Sequence, residues 1–248
     1  MSEDVRMWVE ISFNIAYLIV VWGLVITMLR RRSLVAAEDQ RATQLVIWAF
    51  GLLALGDTGH VGFRVWAYAL GSLESSVMVF GRPIGLVGVG ALATAFTVTI
   101  FYVLILELWR VRFHKQYGPF EMLLMAAAAV RLILMVFPVN EWNSVVPPQP
   151  WSTIRNLPLM VIGLGVAYLI LRDASRANDR TFQWIGVSIL VSYACYMPVI
   201  FFVQRAPLVG MLMIPKTLAY VAIGFLAYFD LYRVEKSEAQ DMLESSAI

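Results

Sequence analysis

Long apolar runs alternate with short clusters of basic and turn-forming residues, and the length of the runs decides which element they form. A helix that crosses the hydrocarbon core of a bilayer needs about 20 predominantly apolar residues. Seven runs are long enough: residues 8–29, 43–70, 84–109, 119–138, 152–171, 182–203 and 209–232. The second and third are long enough to tilt or to extend past the bilayer. The connections between runs are short. The pattern therefore predicts one all-α domain over residues 1–236, a polytopic seven-transmembrane-helix bundle, with a short tail at 237–248 and no separate soluble module. The first run follows an acidic-leaning start, MSEDVR, and is too long for the apolar stretch of a cleaved signal, so it is expected to remain as a span.

Composition narrows the function classes. The chain has 248 residues, of which 60% are hydrophobic and only 15% charged, and its mean hydropathy is +0.74. A soluble domain carries about 25% charge, so this chain lacks the polar shell that a soluble enzyme, a disordered regulator or a nucleic-acid binder requires. The lipid bilayer is the expected partner, and nucleic acid is not. A single cysteine, Cys195, excludes an intrachain disulfide and any Cys-based zinc site. Two histidines, His60 and His114, argue against a bis-His haem and a multi-His metal hydrolase. No metal and no cofactor is expected on these grounds, and nothing in the pattern speaks to oligomeric state.

Basic residues in the loops predict orientation. Of nineteen Lys and Arg, twelve fall on one side of the predicted membrane, in the connections after spans one, three, five and seven. Three, Arg6, Arg82 and Arg205, fall on the other. The expectation is a multi-pass protein of a bacterial cytoplasmic (inner) membrane, N-terminus extracytoplasmic and C-terminus inside. The outer loop FPVNEWNSVVPPQPW carries four prolines and two tryptophans. It reads as a stiff cap over the bundle mouth, although Trp142 and Trp151 also suit an interfacial aromatic belt. Span three ends Glu107-Leu-Trp-Arg-Val and span seven ends Asp230-Leu-Tyr-Arg-Val, an echo that a 3+1+3 parallel repeat would leave. The same four-residue pattern also serves as a plain boundary anchor.

Four cations remain inside the spans: Arg64, Arg131, Arg155 and Lys216. A charge in a span costs roughly 2.5–3.5 kcal/mol on insertion scales, so such groups face a bundle interior or a watery cavity. At about 1.5 Å of rise per residue, Asp57 in span two lies past the midplane. His60 and Arg64 follow on the same face, at i, i+3 and i+7. Glu10 and Asn14 share a face at the outer end of span one, Arg155 and Asn156 open span five, and Glu141 lies just beyond span four. The ionisable groups inside spans thus gather in the outer half, above an apolar inner half. Tyr193 and Tyr196 precede Pro198, and Pro215 directly precedes Lys216, so kinks in spans six and seven are expected to widen that half. Gly56, Gly59 and Gly62 and the run GLVGVGALATA (85–95) read as close-packing faces.

A polar, cation-rich pocket in the outer half would suit a small anionic or amphiphilic ligand, bound or transported. A closed set of ion pairs, such as Asp57 with Arg131 or Lys216, would use the same residues structurally. Asp57 and His60 could instead perform acid/base chemistry on a lipid-like substrate, although no nucleophile motif accompanies them. A lysine in the last of seven spans also admits a retinal Schiff base, but span three carries no acid in residues 84–106 to serve as counterion. The segments GDTGHVGFR (56–64), FPVNEW (137–142), RNLP (155–158) and GMLMIPKTLAY (210–220) resemble a group of bacterial seven-span proteins of unassigned function. That resemblance implies the fold and carries no activity. By topology alone the layout also resembles small seven-span transporters and microbial rhodopsins.

Overall fold

The computed structural model describes residues 3–232. The predicted tail at 237–248, and Arg233 and Lys236 before it, lie outside the described residues. Seven helices long and apolar enough to cross a membrane are present. In chain order they are α1 (Glu3–Arg30), α2 (Gln40–Ala69), α3 (Leu86–Arg112), α4 (Pro119–Val136), the pair α5 (Trp151–Ile154) and α6 (Leu157–Ala177), α7 (Arg180–Phe202) and α8 (Met213–Leu231). Successive spans are neighbours, and α8 closes the ring against α1. The outer surface stays apolar, with Ile19, Trp48, Ile133, Trp184 and Phe229 among its exposed side chains, as a lipid-facing surface requires.

Local signals set the ends. Pro119 starts α4, and the Glu121 carboxylate accepts a hydrogen bond from the Gly118 backbone N–H. Asp179 caps α7 by accepting from the Phe182 N–H. Asn178 ends α6 in the left-handed region. Three departures from the sequence pattern matter. An antiparallel hairpin, β1 (Ser76–Val79) with β2 (Arg82–Gly85), joins α2 to α3 around Phe80-Gly81, both at positive φ. That is the signature of a tight hairpin turn, and the all-helical expectation overlooked it. The fifth span is broken at Arg155-Asn156, and Pro158 lies in the first turn of α6 rather than inside a helix. Pro215 likewise lies in the first turn of α8, where its missing N–H costs nothing. Only Pro198 interrupts a helix, so the expected pair of kinks reduces to one candidate position.

The glycine-rich faces divide in the same way. A Cβ on Gly56 would overlap the Thr97 side chain, and one on Gly90 would lie 2.9 Å from the His60 Cα. Both glycines are required for the close approach of α2 and α3. A Cβ on Gly62 would meet nothing within 4 Å.

The end of the bundle that carries the 31–39, 113–118 and 178–179 connections is tied by charge. The Arg112 guanidinium reaches Asp179 on the α6–α7 turn at 2.9 Å, Asp230 on α8 at 3.1 Å and Asp39 before α2 at 3.8 Å, and it lies over the Phe182 ring. Asp173, almost fully buried, accepts from the Trp109 indole N–H at 3.0 Å and pairs with Arg172 and Lys115. Glu107 pairs with Arg41 and Arg110 and accepts from the Tyr117 hydroxyl. Burial and that carboxylate push the Tyr117 phenol up to about 12. Replacing Arg112 by Ala leaves three carboxylates facing one another. Because the arginine is partly solvent-exposed, the expected loss is about 2 kcal/mol rather than the full cost of a buried pair. Thermal unfolding of Arg112→Ala should therefore shift down and should recover partly when Asp230 is also made Asn.

Candidate functional site

At the opposite end, the seven spans leave a cavity of about 400 Å³. Of the side chains expected from charge placement, Glu10, Asn14, Asp57, His60 and Arg64 line it from α1 and α2. Arg131, Arg155, Asn156, Tyr196 and Lys216 line it from the other side. Glu141 and Tyr193 do not. Glu141 is exposed, in the left-handed region at the end of a short 3₁₀ turn. Tyr193 is buried in the wall, packed where Gly163 leaves room, and its hydroxyl donates to the Leu159 carbonyl at 2.7 Å. Each of the two had the right depth along its helix or loop and the wrong azimuth, which spacing alone does not fix.

The charges within the cavity differ in what holds them. Arg64 pairs with Glu10 at 3.4 Å. Asp57 accepts from the Tyr17 hydroxyl at 2.7 Å and from the Thr94 hydroxyl. It is paired neither with Arg131 nor with Lys216, so the closed ion-pair arrangement is not the one formed. No hydrogen bond among the described residues joins Asp57 to His60, and the His60 Nδ1 is buried without a partner. An Asp–His proton relay is therefore not assembled.

Arg131 is a strut. Its Nε donates to the Arg155 carbonyl at 3.2 Å. Its Nη1 donates to the Ala95 carbonyl at 3.2 Å and the Thr99 hydroxyl at 2.7 Å. Its Nη2 donates to Asn156 Oδ1 at 3.3 Å. These contacts join α4 to α3 and to the break between α5 and α6, and a guanidinium fork so engaged has little left to offer a ligand. Asn156 Oδ1 also accepts from the Tyr196 hydroxyl at 3.2 Å. Arg155 donates to Asn140 at 3.3 Å and stacks on the Trp142 indole, 4.2 Å from the ring centre.

Lys216 is held differently. Its ammonium lies 4.5 Å from the centre of the Tyr196 ring and 5.4 Å from that of Tyr220. Asp57 and Arg131 both act on it electrostatically. Among the described residues no carboxylate lies within ion-pair distance of Arg131, Arg155 or Lys216, and none accepts a hydrogen bond from Lys216. Four cations and two carboxylates line the space, an excess of two positive charges.

Several lining groups were not picked out from the pattern. Tyr17 is three residues beyond Asn14 and seven beyond Glu10, so its helical face pointed to it. Tyr220 is four residues beyond Lys216 on the same grounds. Thr94 sits in the small-residue run that reads as packing, and Trp142 suits a cap and an interfacial belt equally by sequence. It is part of the cavity wall, with its indole N–H donating to the Met135 carbonyl at 2.9 Å.

A second cleft, at the charged end, is lined by Glu38, Asp39, Arg41, Arg110, Arg112 and Lys115. Each of those cations already has a carboxylate partner. The two clefts therefore differ in kind: every lysine and arginine lining the second has a carboxylate within 4 Å, whereas in the cavity only Arg64 does among the described residues.

No family model matches the chain, and no curated protein matches it. Among solved structures, the crystallographic structure of xanthorhodopsin, a light-driven ion pump with dual chromophore, is similar over 94% of each chain, with a TM-score of 0.52 and 14% identity. At that identity the likeness shows the fold: the chain is a seven-helix membrane bundle of the architecture seen in a microbial rhodopsin.

Proposed function

We propose that this membrane protein binds, and in its working cycle transports, a small anionic or amphiphilic ligand in the cavity between α1, α2, α3, α4, α7 and α8, with the Lys216 ammonium as the group that meets the anion. The observation that carries the reading is the state of Lys216. A lysine facing a cavity inside a span, with no carboxylate and no acceptor, keeps its three N–H donors for whatever enters. Arg131 and Arg155 add positive field to the same cavity. In orientation, the excess of basic residues at the opposite end supports the cavity opening on the extracytoplasmic side, with the N-terminus there. The repeated acidic-Leu-aromatic-Arg sequence at 107–110 and 230–233 fits a 3+1+3 duplication of the kind found in transporters.

The test is ligand-dependent stabilisation of the purified protein in lipid nanodiscs, using a panel of simple carboxylates and inorganic phosphate. At a concentration 100-fold above Kd, a bound anion stabilises by about 2.7 kcal/mol, a readily measured rise in Tm. Lys216→Met should abolish that rise while the protein still inserts and folds. An undiminished response in Lys216→Met would sink the reading.

A second reading has one observation in its favour. Lys216 lies in the last helix, without an ion pair or hydrogen-bond acceptor among the described residues and with the Asp57 carboxylate acting on it, as a retinal Schiff base would need. Against it, the residues of α3 that line the cavity, Ala91, Thr94, Ala95 and Val98, carry no carboxylate. A visible absorption band formed with added retinal and lost in Lys216→Ala would favour this reading over the first.

A further inference from the structure

We infer that the ligand is an anionic amphiphile held head-down: its anionic head sits on the Lys216–Arg131 layer, and its apolar body runs toward the mouth against α7, α8 and the turn between them. This rests on the anion site proposed above and assigns its ligand class and orientation. The lining is sorted by depth and by side. Contacts tie one polar layer together: Thr94 donates to Asp57, Asn156 Oδ1 accepts from both Arg131 and Tyr196, and the Tyr196 ring faces the Lys216 ammonium.

Tyr17, Leu53, Val98, Leu159 and Tyr220 line the cavity about one turn deeper. They make an apolar floor edged by phenols, and the Tyr220 hydroxyl is already bonded to that of Tyr102 at 2.7 Å. Nothing there would receive a charge. Above the polar layer the walls differ. On one side Glu10 neutralises Arg64 at 3.4 Å, and Trp142 stacks on Arg155. On the other, Val199 of α7, Val203 just beyond its end, Met211 of the connecting 3₁₀ turn, and Met213 and Ile214 of α8 form a wall with no polar side chain.

A purely inorganic anion would leave that wall wet, and a purely apolar guest would leave Lys216 desolvated without a partner. A carboxylate on a short hydrocarbon chain satisfies both. Its oxygens can take N–H donors from Lys216 and the remaining N–H of Arg131. Its methylenes can cover the Val199–Val203–Met211–Ile214 surface. The chain lies along that wall toward the mouth, so the length of the wall sets how many methylenes are covered.

The experiment is a homologous series of linear carboxylates, acetate, butanoate, hexanoate and octanoate, titrated onto the nanodisc-embedded full chain and read as Tm shift and by calorimetry. Affinity should rise about fourfold per added methylene until the wall is covered, and then level off. In Val203→Thr and Met211→Ser, both mild enough to fold, acetate affinity should be unchanged and the climb with chain length shallower.

Equal affinity for acetate, phosphate and octanoate would overturn the head-down amphiphile and leave a simple anion site. Equal affinity for hexanol and hexanoate would overturn the anion site itself. A climb that persists unchanged in Lys216→Met would show bilayer partitioning rather than binding, and would overturn both.

Discussion

Replacing Gly88 by alanine is expected to unseat the loop over residues 137–150 and to open one wall of the cavity. A Cβ at Gly88 would overlap the backbone carbonyl oxygen of Trp142, and one at Gly85 would come within 2.6 Å of the Asn143 carbonyl oxygen. The loop is held on the start of α3 by the same neighbours. The Gly85 N–H donates to Asn143 Oδ1 at 3.1 Å, and the Asn143 amide donates to the Pro83 carbonyl at 3.4 Å. Because the obstacle is backbone rather than the end of a flexible side chain, the loop must move as a unit. The stack of Trp142 on Arg155 and the indole bond to Met135 move with it. Overpacking of this kind costs typically 1–3 kcal/mol, and the upper end is expected here. Hydrogen exchange should show lost protection over 137–150, together with a lower Tm and a weakened anion response. Wild-type protection in Gly88→Ala would mean that the loop is not seated on α3.

Arg131→Met is expected to weaken the fold itself, in contrast to Lys216→Met. Both residues are cations inside spans, and charge placement alone gives them the same role. The structure separates them by what each already bonds. Arg131 is 2% exposed and donates to four acceptors, two on α3 and two at the break between α5 and α6. Some of what is lost is offset, since methionine removes the cost of burying a charge, and Thr99 still donates to the Ala95 carbonyl at 2.8 Å. The net loss is expected at roughly 3 kcal/mol, from hydrogen bonds with a charged donor worth about 1.5–3 each before that offset. Arg131→Lys should recover little, because one ammonium cannot reproduce a planar fork aimed in three directions. Thermal unfolding in nanodiscs reads both variants. Wild-type stability in Arg131→Met would remove the strut role and return Arg131 to the ligand.

Much of this site was legible because burying charge in a span is expensive enough to require a reason. Asp57, His60 and Arg64 share one helical face by spacing, and all three reach the cavity. The same reasoning overlooked Asp173 and Arg112, which lie near the boundary where a charge reads as an anchor. It also included Tyr193 and Glu141. Tyr193 points into the protein wall, and Glu141 sits on a left-handed turn that aims it at solvent. Depth follows from counting residues along a helix. Azimuth follows from how neighbouring helices rotate to pack, and a lone sequence carries that only where a long periodic stripe exists.

The sequence by itself determined seven spans and the gathering of the charges buried within them toward one half. Each of those rests on a local rule: the length an apolar run needs to cross a bilayer, and the cost of a charge within it. Only the tertiary structure decided which cations are spent on the fold and which remains free. Arg131, Arg155 and Lys216 are alike in one dimension. In three, the first is surrounded by carbonyl and side-chain oxygens, the second is stacked on an indole, and the third faces a cavity with tyrosine rings as its nearest company. The difference lies in which acceptors neighbouring helices bring within about 3 Å, and helix packing, not residue type, sets that.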